Sequence, residues 1–167
     1  MQSETVISIR EYLSTSYHPD CDYVDGLVLE RNAGERDHAE LQRALIVYFH
    51  HRRREWGVHV YPEQRVQVSP THFRIPDVCV VAGPEPMEQI FRTPPFLCIE
   101  ILSTEDRPSN VQARLDDYLA FNVPNIWLLD PHTRKAYRCT RQGMLEMEEL
   151  RTENPDIRIL FTALFEE

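Results

Sequence analysis

The sequence predicts an α/β fold with buried central strands, and two observations support this prediction. Residues 74–81 and 95–103 are nearly continuous apolar runs, which is the composition expected of central strands. A helical pattern over residues 111–121 then leads into a third buried strand at residues 125–130. Strands that alternate with a helix in this way are typical of α/β domains.

The composition indicates an ordinary globular protein. The chain has 167 residues, and residues 1–167 are expected to form a single domain with its own core. The hydrophobic content is 42%, but no apolar run approaches the ~20 residues of a membrane helix. The N-terminus lacks the basic region of a signal peptide, and the four cysteines form no CxxC pair, so reduced thiols and a cytoplasmic location are expected. The net charge of -9 argues against a large phosphate-binding surface but leaves room for local basic patches.

The N-terminal part predicts a short helix, a hairpin and a longer helix. Ser8 and Glu11 have the spacing of a capping box, so a short helix is expected to begin near Ser8. An Asp-Gly pair inside residues 22–30 predicts two strands joined by a tight turn. Asp37 or a neighbour is expected to cap a helix over residues 38–56.

Strand patterns account for most of the remaining chain. Residues 58–68 predict one half-exposed strand, because apolar and polar residues alternate near its end. Residues 135–141 and 145–150 predict a hairpin, and the apolar residues 157–165 are expected to dock on the core.

Two of the central strands each carry one acid, Asp77 and Glu100. Strand alternation lets these carboxylates meet on a common side if the strands are antiparallel neighbours. An acid buried in an apolar strand is costly unless it is paired or binds a cation. Carboxylates, a backbone carbonyl and waters are the usual ligands of Mg²⁺, which can assist phosphodiester hydrolysis. The residues alone also allow structural ion pairs with Arg74 or Arg114.

The order of several motifs resembles a known nuclease pattern. Pro76-Asp77 followed by Glu100-Ile101-Leu102 resembles the PD-(D/E)XK nuclease core, with its final lysine replaced by Leu102. A wider set resembles the Uma-two (Uma2) family of bacterial restriction-endonuclease-like proteins over roughly residues 5–141. This set comprises Asp22-Tyr23-Val24-Asp25-Gly26, His38, Pro76-Asp77-Val78, Ile99-Glu100-Ile101-Leu102-Ser103, Tyr118, Asn122-Val123-Pro124 and Ile126-Trp127-Leu128-Leu129-Asp130-Pro131.

This resemblance implies a restriction-endonuclease-like core, with a central mixed β-sheet flanked by helices. It implies Mg²⁺ or Mn²⁺ at Asp77 and Glu100, with Asp22 and the carbonyl of Ile101 as further ligands. His38 matches a histidine at a helix start, and its role is left open beside the alternative of a simple hydrogen bond. The implied function is a metal-dependent endonuclease that hydrolyses nucleic-acid phosphodiester bonds, with DNA as the expected partner and a homodimer as the expected assembly.

The resemblance also places a basic residue on the helix that follows the acids, at Arg114. Its spacing from Tyr118 puts both residues on one helix side, from which Arg114 can reach the acids. Arginine can bind phosphate, but it cannot give up a proton at neutral pH and act as a base. Lys135, the only lysine of the chain, lies beyond the last core strand. Two further interpretations therefore stay open: a catalytically impaired nuclease fold that binds or assembles, and a metal-dependent hydrolase of another phosphoester.

Overall fold

The elements of the fold are described for residues 4–32 and 34–166 by a computed structural model. The first part of the chain contains α1 (Ile9–Ser14), β1 (Cys21–Val24), β2 (Leu27–Glu30), α2 (Arg36–His51), α3 (Arg53–Trp56), β3 (Val58–Pro62), β4 (Val66–Ser69), β5 (His72–Arg74) and β6 (Val78–Ala82). The second part contains β7 (Leu97–Ile101), α4 (Pro108–Ala120), β8 (Asn125–Asp130), β9 (Lys135–Thr140), β10 (Gly143–Met147), β11 (Glu149–Arg151), β12 (Arg158–Leu160) and a 3₁₀ helix (Phe161–Phe165).

A six-stranded mixed sheet forms the centre of the fold. Its strand order is β10-β9-β8-β7-β6-β3. Strand β7 pairs in parallel with β8 and antiparallel with β6, and α4 is the crossover between the parallel strands. The predicted α/β class with a central mixed sheet is confirmed.

Helices cover both faces of this sheet. Alternate residues of each strand point to opposite sides, so each face carries apolar side chains that a helix buries. On one face α2 buries Leu45 and Phe49 in a cluster with Ile99. On the other face α4 buries Leu115 in a cluster with Cys98. The 3₁₀ helix joins the α2 cluster, so the C-terminal segment docks on the core as predicted. All four cysteines are buried and free.

A four-stranded sheet of order β2-β1-β5-β4 lies beside the N-terminal helix. Tyr12 of α1 packs against Tyr23 and Phe73 of this sheet. Ser8 caps α1, since its hydroxyl accepts a hydrogen bond from the N–H of Glu11 at 3.1 Å. The predicted helix start and the predicted hairpin of β1 and β2 are therefore both confirmed.

The predicted helix over residues 38–56 differs in the structure at both its start and its middle. The helix begins at Arg36, and Asp37 lies in the first turn instead of capping it. A negative charge still suits the helix dipole there. Arg52 leaves helical geometry, with φ -100° and ψ 7°, and separates α2 from α3.

Within the described residues, no helix is both long enough and apolar enough to cross a membrane.

The predicted strand over residues 58–68 is in fact two strands in different sheets. Strand β3 ends at Pro62, whose ring removes a backbone donor, and Glu63 follows with φ 48°. The chain then enters β4 of the smaller sheet. The predicted segment 145–150 is divided in the same way, since β10 pairs with β9 while β11 pairs with β12.

Gly26 in the hairpin turn is a position that favours glycine, because its φ is +93°. A Cβ atom there would also collide with the side chain of Val6. We expect Gly26→Ala to lower the free energy of unfolding by about 1–2 kcal/mol, measured by urea denaturation. Gly34→Ala is the control, since no described atom lies within 4 Å of the added carbon. Equal midpoints for the two variants would contradict the expectation.

Candidate active site

The two predicted acids meet where β6 and β7 pair. These strands are antiparallel neighbours, with Val78 opposite Ile99. Asp77 lies one residue before β6, instead of inside it, and therefore stands opposite Glu100 of β7. The two residues are only 2% and 1% exposed. Two buried carboxylates thus lie side by side at the start of β6, as the alternation of the sequence predicted.

Arg31 supplies a cation to these acids that the sequence analysis did not anticipate. The residue directly follows β2, and its Nη2 lies 2.7 Å from Oδ1 of Asp77 and 3.9 Å from Oε2 of Glu100. Its Nη1 lies 3.6 Å from Oδ1 of Asp22 and donates a hydrogen bond to the carbonyl of Ile75. One guanidinium therefore faces three carboxylates.

Asp77 is held by several donors on different elements. Its Oδ2 accepts a hydrogen bond from the N–H of Ile101 at 2.7 Å, and its Oδ1 lies 3.2 Å from Nε2 of His38. Burial opposes the ionised form, but the charge of Arg31 and the hydrogen bond of His38 hold the pKa of Asp77 below its usual value. Asp77 is therefore a carboxylate at neutral pH.

His38 lies at the start of α2, as predicted, and contacts an acid of the site. Burial works against its charged form, but the hydrogen bond and charge of Asp77 raise the pKa of His38 above its usual value. The hydrogen bond that the sequence analysis offered as the simple alternative is thus present. A further role for His38 stays a prediction.

Glu100 differs from Asp77 in its partners and in the direction of its pKa shift. Tyr118 donates a hydrogen bond to Oε1 of Glu100 at 2.5 Å, and Nε of Arg114 lies 3.3 Å from Oε2. Burial raises the pKa of Glu100 to about 7, although the charge of Arg114 opposes the shift. Oε2 is buried without a hydrogen-bond partner among the residues that the structure describes. The predicted reach of Arg114 to the acids is therefore observed for Glu100.

Asp22 is brought to the site, but its carboxylate is engaged elsewhere. Its Oδ2 accepts from Nη1 of Arg74 at 3.1 Å, and its Oδ1 accepts from the N–H of Ile75 at 3.2 Å. Arg74 also donates from Nε to Asp117 of α4 at 2.6 Å. Arg74, considered as an ion-pair partner of Asp77 and Glu100, pairs instead with Asp22 and Asp117. The role of Asp22 as a metal ligand stays a prediction.

The donor set suits a hard divalent cation, but Arg31 stands among the donors. An open cleft of about 230 Å³ is lined by Asp77, Ile101, Arg31 and Arg114, among other residues. Carboxylate and carbonyl oxygens are the ligands that Mg²⁺ prefers, and the unpartnered Oε2 of Glu100 keeps free lone pairs. No group of three His, Cys, Asp or Glu residues in the described ranges could hold a metal ion. Asp77 and Glu100 are therefore the two carboxylates that would hold such an ion, and Arg31 would have to turn away.

The sequence contains a signal that places Arg31 beside Asp22. Asp22 pairs with Leu29 across the hairpin, so these two residues share a face. Arg31 lies two residues beyond Leu29 and falls on the same face by strand alternation. The Asp-Gly turn alone sets this register, and it places a cation beside Asp22.

Comparisons with known proteins agree with this architecture. The Uma2 family, described as putative restriction endonuclease, matches residues 10–165. The crystal structure of a putative nuclease belonging to DUF820 from Anabaena variabilis ATCC 29413 superposes with a TM-score of 0.80 at 18% sequence identity. The alignment covers 95% of this chain and 97% of that chain, so the likeness shows a shared fold over nearly the whole length. No curated protein matches the chain.

The raised pKa of Glu100 makes stability depend on pH. Between the ordinary pKa of 4.5 and about 7, the folded protein keeps a proton that the unfolded chain releases, so stability falls as pH rises through this range. In EDTA, we expect the unfolding free energy of Glu100→Gln to fall less than that of the wild type from about pH 5 to about pH 8, with a difference on the order of 2 kcal/mol.

Urea denaturation at each pH measures this difference. Glu146→Gln is the control, because Glu146 is exposed on β10 and should retain the pH dependence of the wild type. Parallel pH profiles for the wild type and Glu100→Gln would show that Glu100 does not titrate in this range.

Proposed function

Because the chain belongs to the Uma2 family of putative restriction endonucleases, we propose that it hydrolyses nucleic-acid phosphodiester bonds, with DNA as substrate and Mg²⁺ or Mn²⁺ as cofactor. One observation carries this proposal: Asp77 and Arg114 line one cleft, and the buried Glu100 contacts Arg114 and stands opposite Asp77. Adjacent carboxylates and a fixed cation are the groups that metal-assisted hydrolysis of a phosphodiester requires.

The carboxylates provide the place for the cation. Asp77 and Glu100 would hold it together with the carbonyl of Ile101, and Asp22 would join them only by releasing Arg74. When bound there, Mg²⁺ would supply Lewis-acid chemistry that activates water and offsets charge on the phosphate. His38 holds Asp77 through Oδ1, which fixes the orientation of that carboxylate.

Arg114 supplies fixed positive charge and no proton transfer. It lies between Oε2 of Glu100 and Oδ1 of Asp106, each 3.3 Å away. Its pKa is raised by these acids although burial opposes the charged form, so it stays protonated. Arg114 would therefore bind and stabilise the phosphate, while the proton of the attacking water goes to another group.

Three arginines of the cleft are the groups that would contact a nucleic-acid phosphate. Arg31, Arg107 and Arg114 line the cleft among six acidic residues, and the net charge of the chain is -9. A homodimer is the assembly that we propose for cleavage of both strands, since a duplex offers two target bonds.

Cleavage of supercoiled plasmid DNA in Mg²⁺ or Mn²⁺ tests the function. Asp77→Asn keeps the shape of the side chain but removes its charge, so we expect the rate to fall by at least about 100-fold. Asp156→Asn is the matched control on an exposed carboxylate and should retain the wild-type rate. A wild type that is inert on double- and single-stranded DNA and on RNA, with either metal, would overturn the proposal.

A second candidate function is a catalytically impaired nuclease fold that binds or assembles. Two observations favour it: Arg31 lies among the carboxylates, and Leu102 stands where the related motif has lysine. This candidate predicts retained binding to nucleic acid without turnover.

Arg114→Lys separates the two candidates. If the guanidinium itself stabilises the phosphate, we expect cleavage to fall by roughly tenfold or more, because lysine loses the planar fork. Arg151→Lys, at an exposed ion pair, is the control and should leave the rate unchanged. Activity gained by Arg114→Lys would instead favour the impaired candidate.

A further inference from the structure

Arg31 is the side chain that neutralises the paired acids. Its Nη2 contacts Oδ1 of Asp77 at 2.7 Å and lies 3.9 Å from Oε2 of Glu100. These are the two oxygens, one from each acid, that face the same guanidinium. The charge of Arg31 also contributes to the lowered pKa of Asp77 and opposes the raised pKa of Glu100.

A divalent cation and Arg31 cannot both occupy this position. A Mg²⁺ ion needs oxygen ligands at about 2.0–2.1 Å, so it would have to approach Oδ1 of Asp77 where Nη2 of Arg31 now donates. The two cations would also repel each other strongly in a buried setting. Binding of the ion therefore requires Arg31 to leave.

Arg31 is also more exposed than Arg74, the other arginine that pairs with Asp22. Arg74 is held by Asp22 and Asp117, and its side chain is only 5% exposed. The side chain of Arg31 is 15% exposed and lines the open cleft, and its residue lies beyond the end of β2. Its guanidinium can therefore turn into the cleft without moving a strand. The ion would replace its charge, so the buried acids would not be left uncompensated.

We propose that Arg31 is an internal competitor that occupies the divalent-cation site between Asp77 and Glu100 and must be displaced before the ion binds. This inference rests on the proposed function for the identity of the cation. It assigns a regulatory role to Arg31: the chain carries its own occupant of the site, and the apparent metal affinity is lowered by the free energy of displacing it.

Calorimetric titration with Mn²⁺ alone tests this competition. We expect Arg31→Met, which keeps the length of the side chain but removes its charge, to bind Mn²⁺ at least about tenfold more tightly than the wild type. Arg114→Met is the matched control, since it removes an equal charge 3.3 Å from Glu100 but leaves Arg31 on Asp77. The gain in Mn²⁺ affinity of Arg114→Met should be clearly smaller than that of Arg31→Met. Adding Asp77→Asn to Arg31→Met should abolish the gain.

A second variant guards against loss of folding. Circular dichroism checks each protein, and Arg31→Gln, which keeps a hydrogen-bond donor for Asp77, is titrated alongside Arg31→Met. Equal Mn²⁺ affinity in the wild type and both Arg31 variants overturns the proposal. An equal gain in Arg114→Met also overturns it, because the effect would then be general electrostatics and not occupancy.

Cleavage assays in parallel keep this inference distinct from the proposed function. If Arg31→Met binds Mn²⁺ more tightly but neither it nor the wild type cleaves any nucleic acid, the result supports the competitor and overturns the nuclease. A wild type that cleaves while Arg31→Met gains no affinity overturns the competitor and leaves the nuclease standing.

Discussion

The burial of two acids on adjacent strands is the constraint to which the rest of this structure responds. Asp77 and Glu100 lie in an apolar sheet, where an uncompensated carboxylate is costly. The compensating cations come from separate elements: Arg31 follows β2, and Arg114 lies on α4. The hairpin and the crossover helix must therefore both pack against the start of β6, and the cleft forms where they meet.

The two acids respond to this environment in opposite directions. Asp77 has direct hydrogen-bond donors and a lowered pKa, so it remains charged. Glu100 is more poorly compensated, and burial raises its pKa to about 7. A pair of carboxylates whose pKa values are driven apart can take different roles at one pH. Because the basic partners are arginines, which do not titrate near neutral pH, Glu100 is the acid of this pair whose charge changes there.

Local patterns predicted the parts of the site that depend on local geometry. Strand alternation placed Asp77 opposite Glu100, and helix spacing placed Arg114 within reach of them. The contact of Arg31 with Asp77 was missed, because 46 residues separate the two and only the fold brings them together. The break between β3 and β4 was missed for a similar reason. Both segments have the sequence pattern of a strand. They pair with strands of different sheets, and this pairing determines where the chain turns.

The position of Arg31 at the end of β2, a strand of the smaller sheet, has a mechanical consequence. Its partner Asp77 adjoins β6 and its partner Glu100 lies in β7, both interior strands of the larger sheet, so these ion pairs also connect the two sheets. A change of charge at the centre of the cleft alters the force that holds the hairpin in place. Occupancy of the site and the rigidity of the hairpin thus depend on the same ion pairs. A probe of hairpin motion, such as amide hydrogen exchange in β1 and β2, reports on both.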